Sequence, residues 1–395
     1  MPRFEPFRAL RYSSSGHLDK VVAPPADVIG KKDVQALREL DQHNISWVQY
    51  PNGGKKFQTA AYRLEEWESG AHLTRETVPS LTIYRIAYRT ETGDPRQLSG
   101  VVGALELDED SFSLAQTPRE QDISEQLELL QVSGTELEPT WAMADAKGLQ
   151  AALHESGELI GRVQYGDVVH TIERIIDPDR IELICRLISR SDVTLAAGVH
   201  NFKTALEYRK QIRAITGSRN TAAEFTMAFV TDLHEQSVEF LATHRFLDGL
   251  SHEKLRKQLS GVFTFEPFEG PITRHILNEM VALDRLVLVS PNGNGTWLVP
   301  RPGAFTGVRK LDSAWLEHAF AGSFVELSTQ PNFDWLLADV RHHKGAILVR
   351  PASAEDYLEA IDGDLAPAET VALSPRPYAG MVLRPTVQVS SQNSK

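Results

Sequence analysis

Apolar positions change their period several times along this 395-residue chain, and the changes mark its elements. Val34, Leu37 and Leu40 predict a helix over about 32–43, and Ala60, Leu64 and Trp67 predict another over about 57–69, because a three-to-four-residue spacing puts them on one face. SLTIYRIAYRT and LSGVVGALELD alternate or run apolar instead, as paired strands do, across the polar turn TETGDPRQ. NISWVQY predicts a short strand before the turn at Gly53 and Gly54. From Val163 to Ile188 strands and a helix alternate, FTMAFVTDL predicts a strand, and LVLVSPNGNGTWLV predicts a hairpin closed by Asn292 to Gly295. The mixture predicts an α/β (α+β) chain.

The stretch TLAAGVHNFKTALEYRKQIRAI, Thr194 to Ile215, carries the clearest functional pattern. Val193, Leu195, Ala196 and Ala197 end a buried strand, Gly198 makes a turn, and Phe202, Ala205, Leu206, Ile212 and Ile215 recur at helical spacing over about 203–215. Asn201 is the expected N-cap. A glycine turn feeding a helix presents unpaired N–H groups and the positive end of a dipole to an anion such as a phosphate. His200 and Lys203 stand at that place.

Composition narrows the partners. With 42% apolar residues the chain can build sizeable cores. A net charge of −12, from 53 acidic against 41 basic residues, argues against a surface built to neutralise nucleic-acid phosphates. The single cysteine, Cys185, excludes an intrachain disulfide, and its apolar surroundings IELICRLI predict a buried thiol. No 18-residue apolar run and no signal peptide is seen, so a cytoplasmic protein without membrane contact is expected. Gly53-Gly54-Lys55 lacks phosphate-loop spacing and is a plain turn. Arg341-His342-His343-Lys344 is expected to be solvated, and no metal site is assigned.

Several motifs together resemble a domain-of-unknown-function family related to the free serine kinases, whose core is similar to the ParB and sulfiredoxin fold. Pro6, Phe7 and Arg8, then Pro24, Pro25, Asp27, Val28 and Ile29 match its opening, with Ala26 in place of Tyr. Asp27 itself is expected to serve a turn. Gly198, His200, Thr204 and Ala205 match its Asp-Gly-His-His-Arg, aromatic, Glu-Thr-Ala motif, and Phe202 keeps the aromatic. Thr243, His244 and Arg245 match Pro-Thr-His-Arg with Ala242 replacing the Pro, and a fork of Arg donors beside a His suits an anion. Pro367, Pro375, Gly380 and Val382 match the closing segment, with Thr370 replacing Ser and Arg376 replacing Lys.

The resemblance also shows what has changed. Where the family carries His-Glu-x-Thr, whose Glu is understood to activate the substrate hydroxyl, this chain has Leu114 and Ala115, with Thr117 retained. Ala197 stands at the metal carboxylate, Val199 and Asn201 at phosphate contacts, and Glu369 at a phosphate lysine. A methyl group cannot accept a proton, and a charge reversal about 4 Å from a phosphate costs roughly 4 kcal/mol at an effective dielectric near 20. Glu120 and Asp122 are the acids nearest the lost base in sequence.

The resemblance therefore implies a ParB/sulfiredoxin-like kinase-related domain over 1–218, a second mixed α/β region over 219–388 whose last segment returns to the cleft, and a disordered tail over 389–395. The joint is placed in TGSRNTA. The leading reading is a pseudoenzyme, a small-ligand-binding or regulatory module with Thr117, Gly198, His200, Asn201, Thr243, His244, Arg245, Thr370 and Arg376 as its ligand-binding set. The alternative is an active phosphotransferase acting on free serine or a similar small alcohol, with Mg and ATP or ADP as cofactors. A third reading takes Leu114 and Val199 as apolar fill, leaving a surface for a protein partner.

Overall fold

The computed structural model describes residues 1–13, 15–25, 31–90, 94–108, 111–114, 123–362, 366–367 and 370–386. The chain divides into two units. The first takes Met1–Ser113, Glu120–Val238 and Pro375–Lys395, and the second is built chiefly on Glu239–Ser374.

Nine strands form the main sheet of the first unit: β1 (Phe4–Glu5), β2 (Leu81–Arg89), β3 (Pro95–Glu106), β4 (Phe112–Leu114), β5 (Thr140–Ala144), β6 (Glu158–Tyr165), β7 (Val168–Ile175), β8 (Val193–Ala197) and β9 (Phe225–Asp232). Their order is β4-β8-β5-β9-β3-β2-β7-β6, with β1 also on β3. The sheet is mixed, since β9 runs parallel to β5 and antiparallel to β3. The two apolar runs flanking residues 90–97 pair as expected, Ile83 opposite Val101. Gly103 is required in β3 because a Cβ there would lie 2.3 Å from the Phe4 ring. Trp141, Phe229 and Tyr84 fill the centre, where Trp141 and Phe229 are 5.7 Å apart between centroids.

Helices α1 (Lys31–Leu40) and α3 (Lys56–Ser69) fall where periodicity put them, and α4 (Pro178–Ser189) follows β7. The short strand expected in NISWVQY is instead a helical turn, α2 (Ser46–Gln49). Asn44 explains the correction: its Oδ1 accepts from the Ser46 N–H at 2.9 Å, and its Nδ2 donates to the Lys20 and Val22 carbonyls. The turn bond to Ser46, anchored by the long-range bonds to Lys20 and Val22, outweighs the strand propensity of Ile45, Trp47 and Val48.

The boundary between units differs from the joint expected after residue 218. Strand β9 lies inside the large sheet, between β5 and β3, so the first unit continues to Val238. The segment from Pro375 also belongs with it. Arg384 donates to Glu136 Oε2 at 2.7 Å, and the same carboxylate accepts from Thr226 Oγ1 and the Met227 N–H, so both oxygens of the acid are hydrogen-bonded while Arg384 Nε is left without a partner among the described residues. The tail expected over 389–395 lies outside the described residues.

In the second unit β10 (Glu239–Ala242) pairs with the later Val371–Ser374, and six strands form a separate antiparallel sheet. These are β11 (His244–Asp248), β12 (Phe263–Pro267), β13 (Leu286–Val289), β14 (Gly295–Pro300), β15 (Glu326–Gln330) and β16 (Gly345–Leu348), in the order β12-β14-β13-β16-β11-β15. The expected hairpin is present, Val289 opposite Gly295. Its core gathers Leu247, Leu255, Phe263, Met280, Leu298 and Ile347. Among the described residues no helix is long and apolar enough to cross a membrane.

Candidate functional site

Strand β8 ends at Ala197, and Gly198 turns the chain at φ 73° into helix α5 (Val199–Thr216). A side chain at 198 would be strained in that left-handed conformation and its Cβ would lie 3.2 Å from Thr140 Cα. The helix thus starts four residues before its expected position, and Asn201 is not the cap. Gly198 is the cap residue, its carbonyl accepting from the Phe202 N–H at 3.2 Å.

Asn201 sits in the first turn and donates from Nδ2 to Glu138 Oε1 at 3.0 Å. The other oxygen of Glu138 accepts from Gln49 Nε2 at 3.1 Å. A carboxylate therefore stands by the positive end of α5, where the helix dipole favours negative charge. Sequence reasoning missed Glu138; its only signal was an acid before the apolar run TWAMA. Phe202 packs edge-on against Phe112, with centroids 4.8 Å apart. Ala197, Val199 and His200 are half-buried at this turn. The expected residues Asp27, Ala115, Thr117, Glu120, Asp122 and Glu369 lie outside the described residues.

The second group of expected residues lies in the second unit. Thr243, His244 and Arg245 enter β11 and are all buried. Thr243 and Arg245 line a cavity of about 290 Å³ together with Thr370, Ser313, Asp312 and Lys310. His244, expected beside them, is not among its walls, as alternation along an extended chain requires. His244 Nδ1 accepts from the Val349 N–H at 3.1 Å, and its ring meets Phe333 edge-on. Burial, followed by the neighbouring Arg245 charge, pushes its pKa down to about 3, so it is a neutral part of the sheet. Arg376, expected near Thr370, belongs with the first unit and is half-buried.

The cavity walls are tightly bonded. Asp312 accepts from the Arg350 backbone N–H at 2.6 Å and from its Nε at 3.0 Å, and it also holds Nη2. Asp284 holds Nη1. Burial alone would lower the Arg350 pKa, but bonds and charge from Asp312 and Asp284 outweigh it and raise it. Ser313 Oγ and Thr370 Oγ1 are 2.6 Å apart. Thr370 Oγ1 also donates to the Pro367 carbonyl at 2.7 Å, and Thr243 Oγ1 donates to the Thr370 carbonyl.

Elsewhere His343 stacks on Phe246 at 4.0 Å and contacts Asp248 through Nδ1 at 2.5 Å. It is a packed ring rather than the solvated one expected. Among the described residues no group of three or more His, Cys, Asp or Glu could hold a metal ion. Cys185 is half-buried, and burial followed by the Glu5 charge pushes its thiol up to about 12.

The family described as protein of unknown function (DUF1015) matches residues 4–314. No curated protein matches the chain. Solved structures similar to it include a conserved hypothetical protein from Pyrococcus furiosus, at 12% identity and TM-score 0.38, covering 72% of this chain and 93% of that one. A free serine kinase in complex with AMP is 11% identical at TM-score 0.36, covering 70% and 87%. SbnI with a C-terminal truncation, from Staphylococcus aureus, is 11% identical at TM-score 0.38, covering 74% and 90%.

Proposed function

Because the chain belongs to the family of proteins of unknown function DUF1015, we propose that it is a diverged relative of the free serine kinases that no longer transfers phosphate and serves as a small-ligand-binding or regulatory module. The reading includes a ParB/sulfiredoxin-like core in the first unit. One observation carries it. The strand, the left-handed glycine and the long helix persist at Val193–Thr216, while Ala197 and Val199 bring only hydrocarbon to the turn and Asn201 bonds to Glu138.

Phosphoryl transfer needs positioned cations, a metal and an oriented nucleophile to offset developing charge. Ala197 has no ligand atom for Mg and Val199 no donor for a phosphate oxygen, so these side chains do not fit a metal–nucleotide complex at this turn. What remains for a ligand is the N-terminal dipole of α5 with Gly198, His200 and Asn201, joined in the proposed set by Thr117 and Arg376. In the second unit Thr243, Arg245 and Thr370 form a separate proposed group, with His244 acting through the sheet rather than by contact.

A second reading, an active kinase of serine or another small alcohol with ATP or ADP, is favoured by Glu138 alone, which brings a carboxylate to the start of α5. Titration of ATP and ADP with and without Mg and serine, with a phosphoserine assay beside it, separates the two. Binding that ignores Mg and yields no phosphoserine supports the module. Phosphoserine that disappears in Glu138→Gln would establish the kinase.

A further inference from the structure

We propose that the cavity of the second unit binds a small organic anion that also carries a hydroxyl or ammonium donor. This goes beyond the reading above, which rests on the helix start of the first unit, and shares with it only the view that Thr243, Arg245 and Thr370 face a ligand.

The anionic requirement follows from what converges on the space. Two nine-residue helices begin at its wall, α6 (Asp312–Phe320) and α7 (Ala354–Asp362), and the residues just before each, Leu311 and Pro351 to Ser353, line it. Each helix start carries N–H groups and a positive dipole end at that wall. Arg245 and Lys310 add full positive charges, Arg245 buried and Lys310 largely exposed. The carboxylates of the wall are already engaged. Asp312 is held by Arg350, and Asp356 accepts from the N–H and hydroxyl of Ser353 at 2.8 and 2.7 Å, closing a capping box. Asp284 binds Arg350 and lies 3.9 Å from Lys310 Nζ. Among the described residues, an incoming anion thus meets cations and dipoles beside wall carboxylates that are each already engaged.

The second requirement comes from counting protons. Thr370 Oγ1 has one hydrogen, and the Pro367 carbonyl, which can only accept, takes it. The 2.6 Å contact between Ser313 and Thr370 must then use the Ser313 hydrogen. Ser313 has no proton left for a ligand and offers lone pairs only. An anion oxygen placed there is repelled, whereas an O–H or N–H of the ligand is received. The cavity therefore has a cationic side and an accepting side, and at about 290 Å³ it matches a metabolite of a few carbons rather than a macromolecule.

Calorimetry on the whole chain with three probes, inorganic phosphate, glycerol 3-phosphate and glycerol, tests this. Glycerol 3-phosphate should bind roughly tenfold more tightly than phosphate, and glycerol not measurably. Ser313→Ala should bring the two anions to parity, Lys310→Glu should weaken both roughly tenfold, and Val281→Trp, at the exposed rim, should abolish both without disturbing the core. The proposal is overturned if no probe binds at about 10 mM, if Val281→Trp binds as well as the parent, or if Ser313→Ala keeps the preference. ATP titrated into the same proteins reports separately on the first unit, since Val281→Trp leaves that unit unchanged.

Discussion

Asn201 donates its side-chain N–H to Glu138 at 3.0 Å, joining the first turn of α5 to the residues that lead into β5. A hydrogen bond to a charged, partly buried acceptor is stronger than a neutral one, and losing one partner leaves the other to be rehydrated. A double-mutant cycle over Asn201→Ala and Glu138→Ala, read by urea unfolding, should give a coupling of about 1–2 kcal/mol. A coupling indistinguishable from zero would mean that Glu138 is not fastened to the helix and remains available for another role.

Gly198 holds the turn itself. At φ 73°, and with the 3.2 Å approach of a Cβ to Thr140 Cα, Gly198→Ala should lower stability by roughly 1–3 kcal/mol, more than relief of unfolded-state entropy can return. Equilibrium unfolding measures it. Any stabilisation would show that the turn relaxes into another conformation.

These two residues also show how far the chain can be read without coordinates. The strand, turn and helix around Gly198 were legible because apolar spacing changes period there, and the same signal located β2, β3 and the Val289–Gly295 hairpin. The cap was misread because Asn is the commoner cap residue, and nothing local says that its amide reaches back to Glu138, 63 positions earlier. Ser46–Gln49 was misread because the deciding bonds come from Asn44 to Lys20 and Val22, a distant pairing. Thr243 and Thr370 were singled out by resemblance, yet their partners Ser313 and Asp312 carry no motif; they meet only when β11, β17 (Val371–Ser374) and α6 are assembled.

Two buried histidines should make the protein acid-sensitive. His244 and His170 are each pushed down to about 3, in both cases chiefly by burial, while an unfolded imidazole titrates near 6.5. Between those values the unfolded chain binds more protons than the folded one, so stability falls as pH drops from about 6.5 toward 3. Each group contributes a slope approaching about 1.4 kcal/mol per pH unit well inside that window. His244→Asn and His170→Phe should each flatten the pH dependence of urea unfolding. Unchanged slopes in both variants would show that carboxylates govern the acid limb instead.

The Asp312–Arg350 pair should prove the most sensitive polar element of the second unit. Asp312 is 8% exposed and accepts from three nitrogens of one residue, so Asp312→Ala leaves a half-buried guanidinium and a backbone N–H without their acceptor. Breaking such a pair from one side costs about 3–5 kcal/mol in buried settings, and here somewhat less because Asp284 keeps its bond to Arg350. Asp312→Asn retains two of the hydrogen bonds without the charge and should lose about half as much. Arg350→Lys should behave like Asp312→Ala rather than like a conservative exchange, because an ammonium cannot bond Asp312 through two nitrogens while also reaching Asp284. Thermal and urea unfolding of the three variants order them. If Arg350→Lys proved as stable as the parent, the planar fork would be irrelevant and the pair a simple charge contact.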